Sequence, residues 1–138
     1  MNIIYEETEK ALPCGELHQL FVSAGWSDGS ETPEMIQNYN VPFINSTLVV
    51  SAWEDDHLIG TVRVLSDTMF RSVIYDLVVR PEFQHKGIGK ELVSRCFAHY
   101  PDSEWLVQTT NERASFYESL GFKINQDTFL SIPCKYFT

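Results

Sequence analysis

Residues 72–93 read S-V-I-Y-D-L-V-V-R-P-E-F-Q-H-K-G-I-G-K-E-L-V. An apolar, β-branched run comes first, broken only by Tyr75 and Asp76 and stopped by Pro81. A polar turn follows, Gln84-His85-Lys86-Gly87-Ile88-Gly89. Beyond it the apolar spacing lengthens from two to about four residues, through Ile88, Leu92, Val93, Cys96 and Phe97. The stretch therefore joins a strand to a helix, with two glycines at the helix start. Glycine lets backbone approach a ligand closely, and a helix N-terminus presents unpaired N–H groups and positive partial charge. Such a turn can hold a phosphate or a pyrophosphate.

Spacing separates the uses of such a turn. A Walker loop needs glycine five residues before Gly89 and Ser or Thr after Lys90, where this chain has Gln84 and Glu91. A dinucleotide fingerprint needs a third glycine where Leu92 stands. An ordinary glycine-rich strand–helix turn reads the same way over this stretch alone. The pattern Gln-x-x-Gly-x-Gly, with V-V-R-P-E-F before it and K-E-L-V after it, resembles the acetyl-coenzyme A loop of the GCN5-related N-acetyltransferases (GNAT).

The chain has 138 residues, 43% of them hydrophobic and 21% charged, which suits one globular domain spanning residues 1–138. Its net charge of −9 argues against a nucleic-acid partner, which would want a basic face. The acidity suits solubility first and a cationic substrate second. Cys14, Cys96 and Cys134 are far apart, form no C-x-x-C pair and belong to no zinc-spaced cluster. That pattern points to a reducing, cytoplasmic setting with no metal. The acidic N-terminus has no signal-peptide core, and no apolar run has the length of a membrane span.

Along the chain, residues 3–7 read as a short strand. Pro13 opens a helix with Leu17, Leu20 and Phe21 on its apolar face, and Gly25 ends it. Thr32 caps a second helix carrying Met35, Ile36 and Tyr39, which stops at or just before Pro42. Residues 47–53 and 58–65 form a β-hairpin around a polar turn at 54–57, and Gly60 marks a bulge or a close backbone contact. After the central strand and its helix, Trp105, Leu106 and Val107 make a short strand. Thr109 and Glu112 have capping-box spacing, with Thr110 and Asn111 as alternative caps. The next helix carries Ala114, Phe116, Tyr117 and Leu120 and closes at Gly121. Residues 122–124 and 128–132 then read as a last pair of strands. The order is β-α-α-β-β-β-α-β-α-β-β, an α/β chain.

N-E-R-A-S-F-Y-E-S-L-G-F, residues 111–122, resembles the second signature of the same family. The resemblance is firm from Leu58 to Phe122 and loose before Thr47. It implies an acyl-CoA N-acyltransferase fold: a mixed, mostly antiparallel sheet flanked by about four helices. It also implies an enzyme using acetyl-coenzyme A, without metal, to acetylate an amine by direct attack in a ternary complex. The acceptor is then a small-molecule or peptide amine, and a homodimer is compatible with the family. The loop residues Gln84, His85, Lys86, Gly87, Ile88, Gly89 and Lys90 would hold the pyrophosphate, with Asn111 at the head of the second signature also on the cofactor. Leu77 and Val79 would bond the pantetheine arm through their main chain, and N–H groups near Leu77 and Val78 would meet the thioester oxygen. Tyr117 would protonate the departing thiolate. A coenzyme A-binding sensor of the same fold, doing no transfer, is the alternative.

Two further assignments have a functional and a structural reading. Strand alternation puts Ile74, Asp76 and Val78 on one face. A carboxylate in an apolar run must be paired or face a cleft, so Asp76 either binds the acceptor ammonium and its proton or pairs with Arg63 or Arg71. Trp26 and Tyr39 fall where the family builds its acceptor wall, yet aromatic residues also serve as plain core.

Overall fold

The computed structural model describes residues 2–136. Two compact units meet in sequence at Gln108 and Thr109.

The first unit holds a five-stranded sheet in the order β1-β2-β3-β4-β5. The strands are β1 (Ile3–Glu6), β2 (Leu48–Glu54), β3 (His57–Ser66), β4 (Arg71–Val79) and β5 (Glu104–Val107). The first four pair antiparallel, and β5 runs parallel to β4. Four helices flank the sheet: α1 (Cys14–Ser23), α2 (Pro33–Gln37), α3 (Val41–Ile44) and α4 (Ile88–His99). The mixed, mostly antiparallel sheet expected from the sequence is thus present.

Burial explains the layering. Leu48 through Ala52 and Leu58 through Val62 are all buried, so both faces of the sheet centre are covered. Val49 belongs to a core with Leu12, Leu17, Leu20, Phe21, Phe43, Leu58 and Val78, the side of α1 and α3. Its neighbour Val50 must point the other way. Gly60 opens onto that opposite side, where a β-carbon would stand 3.2 Å from the Val78 carbonyl oxygen and 3.3 Å from Leu92 Cδ1 of α4. The expected close contact at Gly60 is real, and the ladder is also irregular beside it, shifting between Ala52 and Trp53. Gly60→Ala is expected to lower stability by about 1–3 kcal/mol, the usual cost of overpacking, because the tightest contact is with a backbone oxygen rather than the end of a flexible side chain. Denaturant unfolding measures this directly.

Several local expectations are corrected. The second helix is two short ones. The bond from Tyr39 N to Ile36 O closes the first, and Pro42 sits in the opening turn of the second rather than ending anything. Thr32 does cap α2, accepting from Met35 N at 3.2 Å. Gly25 turns the chain out of α1 at φ 79°, with Trp26 N reaching back to Phe21 O.

The second unit contains α5 (Asn111–Glu118), and its N-cap is Thr110 rather than Thr109. Gly121 follows at φ 103°, and Phe122 N donates to Tyr117 O at 3.2 Å. The last pair of strands expected at 122–124 and 128–132 does not form. A strand needs a ladder partner for its N–H and C=O groups, and the sheet of the described residues ends with β5 and includes neither segment. Phe129, Leu130 and Ile132 are 67%, 86% and 84% exposed.

Candidate active site

The site is built around a break in β4. Thr61 faces Val78 and Arg63 faces Tyr75, so β4 supplies Asp76 and Leu77 opposite the single residue Val62. This is a β-bulge, and Asp76 takes φ +51° in it. A bulge reverses which face the following residues meet. Ile74 pairs with Val64, and Val64 with Leu48, on the α4 side. Val78 instead joins the α1 core. The alternation that would place Ile74, Asp76 and Val78 on one face is therefore wrong, because one extra residue intervenes.

β4 is also open along one edge. Its ladder with β5 runs from Arg71 and Glu104 to Ile74 and Val107 and stops there. β4 itself continues to Val79. Past Ile74, Leu77, Val78 and Val79 have β3 on one side and no strand on the other among the described residues. The Val79 carbonyl accepts from Gln84 Nε2 at 2.9 Å.

The turn after β4 is short. A 3-10 segment, Pro81–Phe83, is followed by His85 at φ +63° and Gly87 at φ +85°, and α4 starts at Ile88. Glu91 N bonds Gly87 O at 3.0 Å, so the N–H groups of Ile88, Gly89 and Lys90 precede the first helical bond of α4. Lys86 and Lys90 are exposed, with Lys86 Nζ 5.8 Å from the Phe83 ring centroid. Arg80 turns away, donating to Leu58 O and lying 3.7 Å from a Glu16 oxygen. A left-handed glycine, uncommitted helical N–H groups and nearby lysines fit a pyrophosphate, and the open β4 edge fits an extended amide-bearing arm.

Asp76 is ion-paired. Its Oδ2 lies 2.5 Å from Arg63 Nε. The Arg63 guanidinium stacks over Phe43 and over Tyr75, at 5.8 and 5.2 Å from the ring centroids. Arg71 is engaged instead with Glu104. Of the partners considered for Asp76, Arg63 is thus the one present, on the α1 face. Pairing does not remove Asp76 from the site, since a carboxylate accepts at more than one position.

Tyr39, half-buried beyond α2, packs edge-on against His18 and Phe21 at 5.1 and 5.5 Å. Burial first, and then the negative charges of Glu31 and Asp76, raise its pKa, with the Ser27 hydroxyl pulling the other way. Trp26 stands edge-on to Phe21 and is 43% exposed. Sequence reading missed His18, Ser27 and Glu31. His18 Nε2 bonds Glu31 Oε1 at 2.9 Å, and the Ser27 hydroxyl reaches both Glu31 oxygens at 2.7 and 2.6 Å. These contacts join α1 to the loop before α2, and no local spacing announces them.

In the second unit, Asn111 opens α5 and is exposed. Tyr117 is buried between the rings of Phe116 and Phe122, with centroids 5.0 and 5.6 Å away. Burial raises its pKa, opposed by Arg113, so its phenol keeps its proton at neutral pH. No group of His, Cys, Asp and Glu among the described residues is arranged to hold a metal. No described helix is long and apolar enough to cross a membrane.

Residues 45–124 match the family model described as an acetyltransferase (GNAT) domain. An N-acetyltransferase ycf52 of Pyropia yezoensis is 29% identical over 86% of this chain, which spans 70% of that relative. A ycf52-like N-acetyltransferase of Prochlorococcus marinus is 33% identical over 79% of the chain, which spans 62% of it. Among solved structures, a GNAT-family acetyltransferase of Streptococcus pneumoniae superposes with a TM-score of 0.78 at 22% identity, covering 97% of this chain and 99% of that one. The chain belongs to the GNAT family of acetyltransferases.

Proposed function

We propose that the chain transfers acetyl from acetyl-coenzyme A to a primary amine by direct attack in a ternary complex. The observation that carries this reading is the open edge of β4 past Ile74, leading through a short turn into the N-terminus of α4. Acetyl-coenzyme A supplies the activated acyl group. Leu77 and Val79 bond the pantetheine amides through their main chain, which requires Gln84 to release the Val79 carbonyl. N–H groups at Leu77 and Val78 meet the negative charge that develops on the thioester oxygen. The residues from Gln84 to Lys90 hold the pyrophosphate, with Asn111 also on the cofactor. The acceptor ammonium first gives a proton to Asp76, directly or through water, which frees its lone pair. As the new N–C bond forms and the C–S bond breaks, the nitrogen gives a second proton to solvent and Tyr117 gives one to the sulfur. Trp26, Tyr39 and Asp76 receive the acceptor. The chain works as one acetyltransferase domain, since the family match crosses the boundary between the two compact units.

Mass spectrometry of an amine panel incubated with acetyl-coenzyme A tests the function. Acetylation of at least one amine (+42 mass units being one acetyl for hydrogen, about that value for any acceptor) is the expected result. Tight coenzyme A binding with no transfer would instead favour the sensor.

Asp76→Asn keeps the size of the side chain and its tolerance of positive φ. It is expected to raise the KM for the amine, lower kcat, or both, while coenzyme A affinity stays nearly unchanged. Steady-state kinetics in both substrates checks this. Wild-type kinetics would leave Asp76 only its pairing with Arg63.

A further inference from the structure

Among the described residues, Asp55, Thr68, Asp76 and His85 take positive φ without being glycine. Three of them lie in turns, and Asp76 alone lies inside a strand. Such a conformation is strained, and it persists only where neighbouring groups over-determine it. Arg63 supplies such a group. It stands opposite Tyr75 in the ladder, one residue before Asp76, and its Nε donates to Asp76 Oδ2 at 2.5 Å. The guanidinium is itself held in place. Phe43 of α3 and Tyr75 of β4 flank it with their rings. Its Nη1 reaches the Ser46 hydroxyl at 3.5 Å, and the buried Ser46 donates in turn to Pro42 O at 2.7 Å. The Arg63 side chain is only 18% exposed and that of Asp76 27%. All of these residues belong to one compact unit.

We propose that Arg63 is a positioning residue for acetyl transfer: by holding Asp76 it keeps the bulge of β4 in place, and the bulge aims the Leu77 and Val78 N–H groups at the thioester oxygen. This rests on the acetyl-transfer reading and adds to it the residue that keeps those donors aimed. Asp76 and Leu77 stand together opposite Val62, so a relaxed bulge turns the peptide groups that follow it. A backbone donor has no side-chain rotamer with which to correct its direction. Its aim is set by the chain, and the chain here is set by a side chain of the neighbouring strand. Arg63 thus acts through Asp76, and is needed neither for the pantetheine arm nor for the pyrophosphate.

The test reads the thioester carbonyl directly, by infrared difference spectroscopy of bound acetyl-coenzyme A with an isotope label at that carbon and no acceptor present. Preorganised donors draw charge onto the oxygen, which lowers the stretching frequency below its value in water. The wild type is expected to show that downshift and Arg63→Gln to lose most of it. With the fastest amine of the panel, the same variant is expected to lower kcat about tenfold, part of the loss that follows removal of a whole donor. The KM for acetyl-coenzyme A should stay nearly unchanged. Should Arg63→Gln fail to fold, Arg63→Lys keeps the charge but not the Nε–H, and a smaller change in the same direction is expected. Asp76→Gly removes the tether and takes positive φ without strain, so adding Arg63→Gln to it should move the band no further. A full downshift and full kcat in a folded Arg63 variant, whatever its Tm, would make the ion pair a purely structural tie and overturn the proposal. So would a further loss in the Asp76→Gly background, or a wild type that acetylates an amine without the downshift. A wild type that binds acetyl-coenzyme A with no downshift and acetylates nothing in the panel would overturn the acetyl-transfer reading itself, and this inference with it.

Discussion

Gly87→Asp is expected to abolish acetyl-coenzyme A binding while the protein stays folded. Gly87 caps α4 at φ +85°, where most side chains are strained, but a β-carbon there would meet no atom within 4 Å. Aspartate is among the residues that tolerate this conformation best. The substitution therefore adds a carboxylate without a clash, at the helix start where the pyrophosphate would approach. Like charges brought together at a site cost several kcal/mol, so affinity should fall by about two orders of magnitude or more. Gly89→Asp places the charge in the first turn of α4, where a helix accepts an acidic residue readily. It should fold and fail to bind in the same way. Calorimetric titration gives the answer, and unchanged affinity in a folded variant would remove the turn from the cofactor site.

The second large effect is expected at Tyr117. Tyr117→Phe keeps the ring and its edge contacts with Phe116 and Phe122, as well as the backbone bond from Phe122 N to Tyr117 O. Only the hydroxyl is lost. A phenol whose pKa is raised by burial holds its proton at neutral pH, the state a proton donor needs. Its ordinary pKa of about 10 is near that of an alkyl thiol, so transfer to a departing thiolate is nearly balanced. Losing that donor should lower kcat by about 10²-fold, the low end for general acid catalysis. Coenzyme A affinity and Tm should change little. Full kcat, measured where chemistry rather than product release limits the rate, would show that water or another group protonates the sulfur.

Much of this arrangement was legible in the sequence. The change of apolar spacing at Ile88 gave the start of α4. The polar residues 54–57 marked a hairpin turn, which is tighter than that, with β2 running to Glu54, β3 starting at His57 and Asp55 at φ +51°. Local chemistry suffices for such features. The bulge at Asp76 was not legible, because strand alternation assumes an unbroken ladder. The carboxylate inside a β-branched run was the clue, and it read as a question of pairing rather than of backbone. The tie among His18, Ser27 and Glu31 was beyond sequence reading, since it depends on where α1 and the following loop meet. The last expected strands failed for a related reason. Residues of strand type such as Thr128, Phe129 and Ile132 resemble a strand, but pairing is decided by a partner elsewhere in the chain.

The central claim is that acetyl-coenzyme A lies along the open edge of β4 with its pyrophosphate on the N-terminus of α4. Amide hydrogen exchange, with and without coenzyme A, tests it at both places in one measurement. The account predicts that coenzyme A slows exchange at the Leu77 to Val79 amides and at the Ile88, Gly89 and Lys90 amides together. Binding that leaves both groups of amides exchanging as in the free protein would contradict it.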